Sequence, residues 1–159
     1  MMARFEGEFA MHNLTMPTLQ LAGMSVELTM LSLAIVLGLL QLLIAARAGN
    51  SQRGLKWNVG ARDEPPPPVG KVAGRLERAF RNFMETFPLF AACVLIVTLT
   101  GRHNWATVWG AQIYLAARIV YVVLYGLGVP GLRTLVWLIA TLGIILMVTA
   151  IFWTGMPAI

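Results

Sequence analysis

The run "LTMLSLAIVLGLLQLLIAA", residues 28–46, holds nineteen consecutive residues without a charge. A helix rises about 1.5 Å per residue and a bilayer's hydrocarbon core is about 30 Å thick, so such a run spans it. Three further segments of that length follow. One covers about Arg75–Leu99, charged at its start and wholly apolar after Glu85; the others cover about Trp105–Leu127 and Leu132–Trp153. The predicted spans are therefore 26–46, 75–99, 105–127 and 132–153, an all-α, four-transmembrane-helix bundle in an integral membrane protein. Trp105, Trp109, Trp137 and Trp153 are placed toward span ends, where aromatic belts form.

Composition agrees. Of 159 residues, 58% are hydrophobic and 12% charged, whereas soluble domains carry about 25% charge. A soluble fold of this size has too little interior for that much apolar surface, and so apolar a chain is not disordered. The single cysteine, Cys93, excludes a disulfide framework and a thiolate metal cage, and reads as a small buried hydrophobe; His12 and His103 lie too far apart to build a metal site, so no metal is expected and both read as solvated. The net charge of +5 is not spread over a soluble basic face, which argues against a nucleic-acid partner.

Half of the twelve lysines and arginines crowd one connection and its edge. Arg47, Arg53, Lys56, Arg62, Lys71 and Arg75 face only Asp63 and Glu64 there, and the tetraproline Pro65–Pro68 stiffens the path. By the positive-inside rule this basic, proline-rich loop, 47–74, and the short connection 127–132 face the cytoplasm, and both termini lie outside. Residues 1–23 read as a short N-terminal surface segment, and 24–159 as one membrane domain. The links "TGRHN" and "GLGVPG" read as tight turns.

Two polar stripes interrupt the spans. At 100° per residue Arg75, Arg78, Arg81, Asn82 and Glu85 share about a third of the second helix's circumference. Tyr114, Arg118, Tyr121 and Tyr125, spaced i, i+4, i+7 and i+11, share one face of the third. Cations within a span are costly against lipid, so these stripes face protein or a wet cleft, although Arg75 and Arg78 are also placed to snorkel to headgroups. From Pro88 to the C-terminus the charged residues are Arg102, Arg118 and Arg133, with no carboxylate. Arg118 must then find its counter-charge in Glu85, a neighbouring subunit or an anionic ligand. Arginine's planar fork suits carboxylates, so the cleft is expected to take an anion. Glu27 is a carboxylate at the outer edge of its span, and a small multidrug exporter using it is the rival reading from another class. Gly110, Ala111, Ala116 and Ala117 are candidates for close helix contact.

The string "LERAFRNFMETFP", residues 76–88, resembles the second-helix signature of the superfamily of membrane-associated proteins in eicosanoid and glutathione metabolism (MAPEG), whose R-N-x-x-E core is Arg81, Asn82 and Glu85. "ARIVYVVLYGLGVPGLR", with Arg118, Tyr121, Tyr125 and Arg133, is similar to its third helix and following loop, as in bacterial-type members. The resemblance implies a homotrimer, with glutathione as co-substrate held between subunits near the cytoplasmic face. It implies thiol transferase or lipid hydroperoxide peroxidase chemistry on a lipophilic substrate, or a non-catalytic lipid-binding role. Carried over by motif, Arg78, Arg81, Asn82 and Glu85 hold the tripeptide, with Arg75 and Arg47 as further ligands; Arg53 competes with Arg47 for its place. Tyr121 and Tyr125 add contacts, Arg133 is the matching thiol-activating arginine, and Arg118 lies beneath the tyrosines as the second catalytic candidate. For a bacterial chain the location implied is the inner membrane.

Overall fold

In the computed structural model residues 23–61, 63 and 65–153 are described. The expected N-terminal surface segment, apart from Gly23, lies outside them, as do His12, Arg62 and Glu64. The described residues form helices and connections with no strand, and four of the helices are long and apolar enough to cross a membrane. These are α1 (Val26–Arg53), α3 (Lys71–Thr100), α4 (Trp105–Leu127) and α5 (Pro130–Phe152); α2 (Leu55–Val59) is a single short turn of helix in the first connection. The protein is an integral membrane protein with the four-span architecture read from the sequence.

Local chemistry sets the boundaries. The Ser25 hydroxyl accepts from the Leu28 amide to begin α1. α1 outruns its apolar segment by seven residues, because Arg47–Arg53 contains no proline and its one glycine, Gly49, stays helical; the stop comes only at Gly54, with φ +81°. α3 likewise starts at Lys71, just after the prolines, so the loop expected over 47–74 contracts to 54–70. Asn104 caps α4 by accepting from the amides of Ala106 and Thr107, while Thr107 answers with its hydroxyl to the Asn104 amide, a reciprocal capping box. α4 ends at Gly128, whose φ of +80° suits glycine, and Pro130 opens α5 two residues earlier than the hydrophobicity implied.

Consecutive long helices are antiparallel. α3 and α4 each touch all the other long helices, whereas α1 and α5 share no contact among the described residues. Between α4 and α5 the backbones come close: a Cβ on Gly110 would stand 2.7 Å from the Gly143 carbonyl oxygen, and the converse holds for Gly143. Of the other small residues, Ala111 and Ala117 are buried and Ala116 faces outward. The core runs along α3 and α4, where the Phe90 and Tyr114 rings stack at 4.1 Å, and Cys93 is buried within it. Leu39, Leu40, Leu43, Ile44, Leu138 and Leu142 point outward from α1 and α5, a surface that lipid solvates and water does not.

The two ends of the bundle carry different polar groups. At one end, Arg53 grips Glu77 through both terminal guanidinium nitrogens, at 2.6 and 2.9 Å, and lies over the Trp57 ring. At the other, Arg102 donates to the Ile151 carbonyl at the close of α5. Beside it Glu27, 1% exposed, accepts from the Thr107 hydroxyl at 2.6 Å and sits 3.2 Å from His103 Nδ1. The sequence reading left Glu27 at a span edge and His103 in solvent. The antiparallel return of the chain instead brings both to the start of α4, and leaves the His103 side chain 30% exposed.

A candidate anion cleft between three helices

The second-helix stripe forms as the 3.6-residue period requires, and it flanks the buried face of α3. Ala79, Phe83, Thr86 and Phe90 point into the bundle, Asn82 stands at the boundary, and Arg78, Arg81 and Glu85 are exposed. Pro88 interrupts the backbone bonding of α3 just beyond the stripe.

From α4, Arg118 enters this boundary almost completely buried, at 1% exposure. One guanidinium nitrogen donates to Asn82 Oδ1 at 2.8 Å and another to the Thr86 hydroxyl. Its Nε has no hydrogen-bond partner among the described residues. The rings of Tyr114 and Tyr121 lie 5.5 and 5.4 Å from Cζ, so π-electron density rather than a carboxylate surrounds the charge. Glu85 is reached at one remove: Asn82 Nδ2 donates to Glu85 Oε2 at 3.0 Å. Of the three counter-charges the sequence left open for Arg118, then, Glu85 is linked to it only through the Asn82 amide.

Beside this junction Asn82, Tyr121, Arg133, Thr134 and Trp137 line a cleft of about 200 Å³. α3, α4 and α5 each contribute. Arg133 stands 4.5 Å over the Tyr125 ring, and Tyr125 lies against Tyr121 with centroids 5.5 Å apart. Trp137 was read as an interfacial belt residue; it is half-buried two turns into α5, and its indole Nε1 is a buried donor with no acceptor among the described residues. Neither it nor Thr134 was legible as a site residue, because Arg133 is the only charged residue of α5 and Thr134 is one of three threonines in it.

The remaining candidates are dispersed. Arg75 turns away from the cleft and donates to the Gly126 and Leu127 carbonyls, at 3.5 and 3.4 Å, so it caps the C-terminus of α4. A Cβ on Gly128 would collide with that guanidinium. Arg47 is exposed on α1, which contributes nothing to the cleft wall; Arg53, the competing candidate, is held by Glu77. Arg78 and Arg81 are exposed on the face that carries Glu85 and form no ion pair among the described residues.

Chemically the site is a positive cleft. Arg133 is the one charged side chain in its wall, with amide, phenol, hydroxyl and indole donors beside it; Arg118 is buried next to Asn82, and Arg78, Arg81 and Glu85 lie on the exposed face of α3. No group of three or more His, Cys, Asp or Glu side chains gathers among the described residues. In comparison with known proteins, residues 30–153 match the MAPEG family. No curated protein and no solved structure matches the chain.

Proposed function

The chain belongs to the MAPEG family, and from that premise we propose that its cleft binds glutathione and stabilises the thiolate for attack on lipophilic electrophiles or lipid hydroperoxides. One observation carries this reading: a nearly fully buried arginine, Arg118, touches neutral acceptors only, directly behind a cleft that presents a second arginine, Arg133. Buried charge is costly unless compensated, and an anion in the cleft supplies the compensation.

Glutathione meets the arrangement group by group. Its two carboxylates suit the planar forks of Arg78 and Arg81, its ammonium suits Glu85, and its amides suit Asn82, Tyr121 and Tyr125. The cleft of one chain, about 200 Å³, falls below the roughly 300–1,000 Å³ of small-molecule sites. Its polar stripe continues onto the exposed Arg78, Arg81 and Glu85. A neighbouring subunit closes it, and the proposed assembly is the family's homotrimer. The basic end of the bundle faces the cytoplasm, where glutathione is dissolved, and both termini lie outside.

An ordinary thiol has a pKa of about 8.5, and the thiolate is the nucleophile. Lowering it by about two units takes roughly 2.7 kcal/mol of preferential interaction with the anion. A guanidinium at about 4 Å with an effective dielectric of about 20 supplies a term of that size. Arg133, at the cleft rim, has that role. In transfer the sulfur forms a bond to an electrophilic carbon and displaces its leaving group. In peroxide reduction it attacks the distal oxygen and the O–O bond breaks, giving an alcohol and a sulfenic acid, which a second glutathione reduces to disulfide and water. The lipophilic partner arrives from the bilayer, where its concentration is already high.

Difference absorption near 240 nm on adding glutathione to purified protein tests this, because it reads thiolate directly. Wild type is expected to give the band at pH 7. Arg133→Ala is expected to lose it roughly 20-fold while binding falls less, the thiolate fraction expected when a pKa near 6.5 returns to about 8.5. Arg81→Ala and Glu85→Ala are expected to lose binding first. Binding without the band would remove the catalytic half of the proposal and leave a non-catalytic member.

A further inference from the structure

Thr86 is absent from every stripe in the sequence, yet three groups converge on its hydroxyl. Arg118 donates to it, the Tyr114 hydroxyl lies 3.2 Å away, and the Phe83 carbonyl, one turn back on α3, lies 3.3 Å away. All are buried: Thr86 is 8% exposed, Arg118 1% and Tyr114 0%.

The protons can be assigned by counting. A threonine hydroxyl has one proton and two lone pairs, and a guanidinium only donates. Among the described residues Thr86 Oγ1 is the sole acceptor bonded to the Tyr114 phenol, so the phenol donates to it. The Thr86 proton then goes to the Phe83 carbonyl, and both lone pairs are filled, one by Tyr114 and one by Arg118. This arrangement uses the proton and both lone pairs of the Thr86 hydroxyl and fixes one terminal guanidinium nitrogen of Arg118. The planar fork, held there, delivers its other nitrogen to Asn82 Oδ1 at 2.8 Å. An acceptor bond on Oδ1 fixes which way the Asn82 amide faces, and its NH2 therefore points to Glu85, at 3.0 Å.

We propose that the Thr86 hydroxyl is a positioning group: through Arg118 and Asn82 it holds the Glu85 carboxylate in place on the exposed face, so that the anion cleft is assembled before any ligand arrives. The consequence for ligand binding rests on the glutathione reading above; the chain Thr86–Arg118–Asn82–Glu85 does not. Thr86 touches no ligand itself. Its effect is preorganisation, since side chains already held in their bound geometry lose less entropy on binding.

The test uses Thr86→Val, nearly isosteric but without the hydroxyl, and Thr86→Ser, which keeps it. Glutathione affinity is expected to fall about 10-fold or more in Thr86→Val and to stay within about 3-fold of wild type in Thr86→Ser, about the effect of one charge-assisted hydrogen bond. Equal affinity in Thr86→Val and wild type, or equal loss in both variants, would overturn the proposal, the latter by assigning the effect to the methyl group's packing. If wild type itself fails to bind glutathione, the functional reading fails, and the ligand-free protein still decides about Thr86. Thermal midpoints of Thr86→Val, Asn82→Ala and the double variant are expected to be non-additive, because both changes release the same guanidinium; additive midpoints would show that no chain exists. Should Thr86→Val fail to fold, Thr86→Ala, which also removes the hydroxyl and so releases the same guanidinium, gives the same cycle with Asn82→Ala.

Discussion

Arg118 and Glu27 are the two charged side chains among the described residues that are buried to 1% exposure, and they sit toward opposite ends of the bundle. Glu27 is closed. One oxygen takes the Thr107 hydroxyl, the other faces His103, and the carboxylate lies in the first turn of α1 and against the capping box of α4, where two helix N-termini favour negative charge. Arg118 is open. Its acceptors are a neutral amide and a neutral hydroxyl, its Nε is unpartnered among the described residues, and a cleft adjoins it. A buried charge whose bonds are completed within one chain joins helices; the one left short of opposite charge is the one on which the proposed anion site rests. Burial alone would not have told them apart.

That contrast breaks most visibly at Arg118. Arg118→Leu is expected to abolish glutathione binding, by more than about 100-fold, since it removes the charge and strands Asn82 and Thr86 together, each at about 1–3 kcal/mol. A titration of the purified variant, with its helicity checked by circular dichroism, measures this; retained binding would make Arg118 a structural residue like Glu27. Next in size is Glu27→Gln. It keeps the shape but weakens the charge-assisted bonds to Thr107 and His103, and is expected to cost about 1–3 kcal/mol of stability, read as a lower thermal midpoint, with glutathione affinity within 2-fold of wild type. A matching loss of affinity would join the two ends functionally, and abolished drug efflux would revive the exporter reading. The smallest effect belongs to His103→Asn. The ring is 30% exposed, and exposed pairs contribute about 0–1 kcal/mol, so its midpoint is expected to lie near wild type; a drop equal to that of Glu27→Gln would place the histidine at the centre of the Glu27 cluster.

Much of this was legible along the chain. Four apolar runs of spanning length are their own signal, because every backbone group in lipid must bond within its own helix. Asn82, Glu85, Arg118, Tyr121 and Arg133 stood out because polar residues inside a span are expensive. Thr86 did not, since a threonine in a membrane helix commonly bonds its own backbone, and its bridging depends on partners 28 and 32 residues away. Trp137 was missed as a cleft residue for the reverse reason: a tryptophan near a span end reads as a belt residue, and its place in the cleft wall comes only from the packing of α3 against α5. Arg75 fitted the stripe by angle, but an arginine's reach let it cap α4 instead.

Class, spans and the arginine-rich character of one end follow from composition and period alone, because the bilayer prices each residue by its own polarity. Which of those charges are closed and which remain open is a property of pairs, many of them from different helices. Only the folded arrangement, by putting Asn82 and Thr86 opposite Arg118 and Thr107 opposite Glu27, decided it.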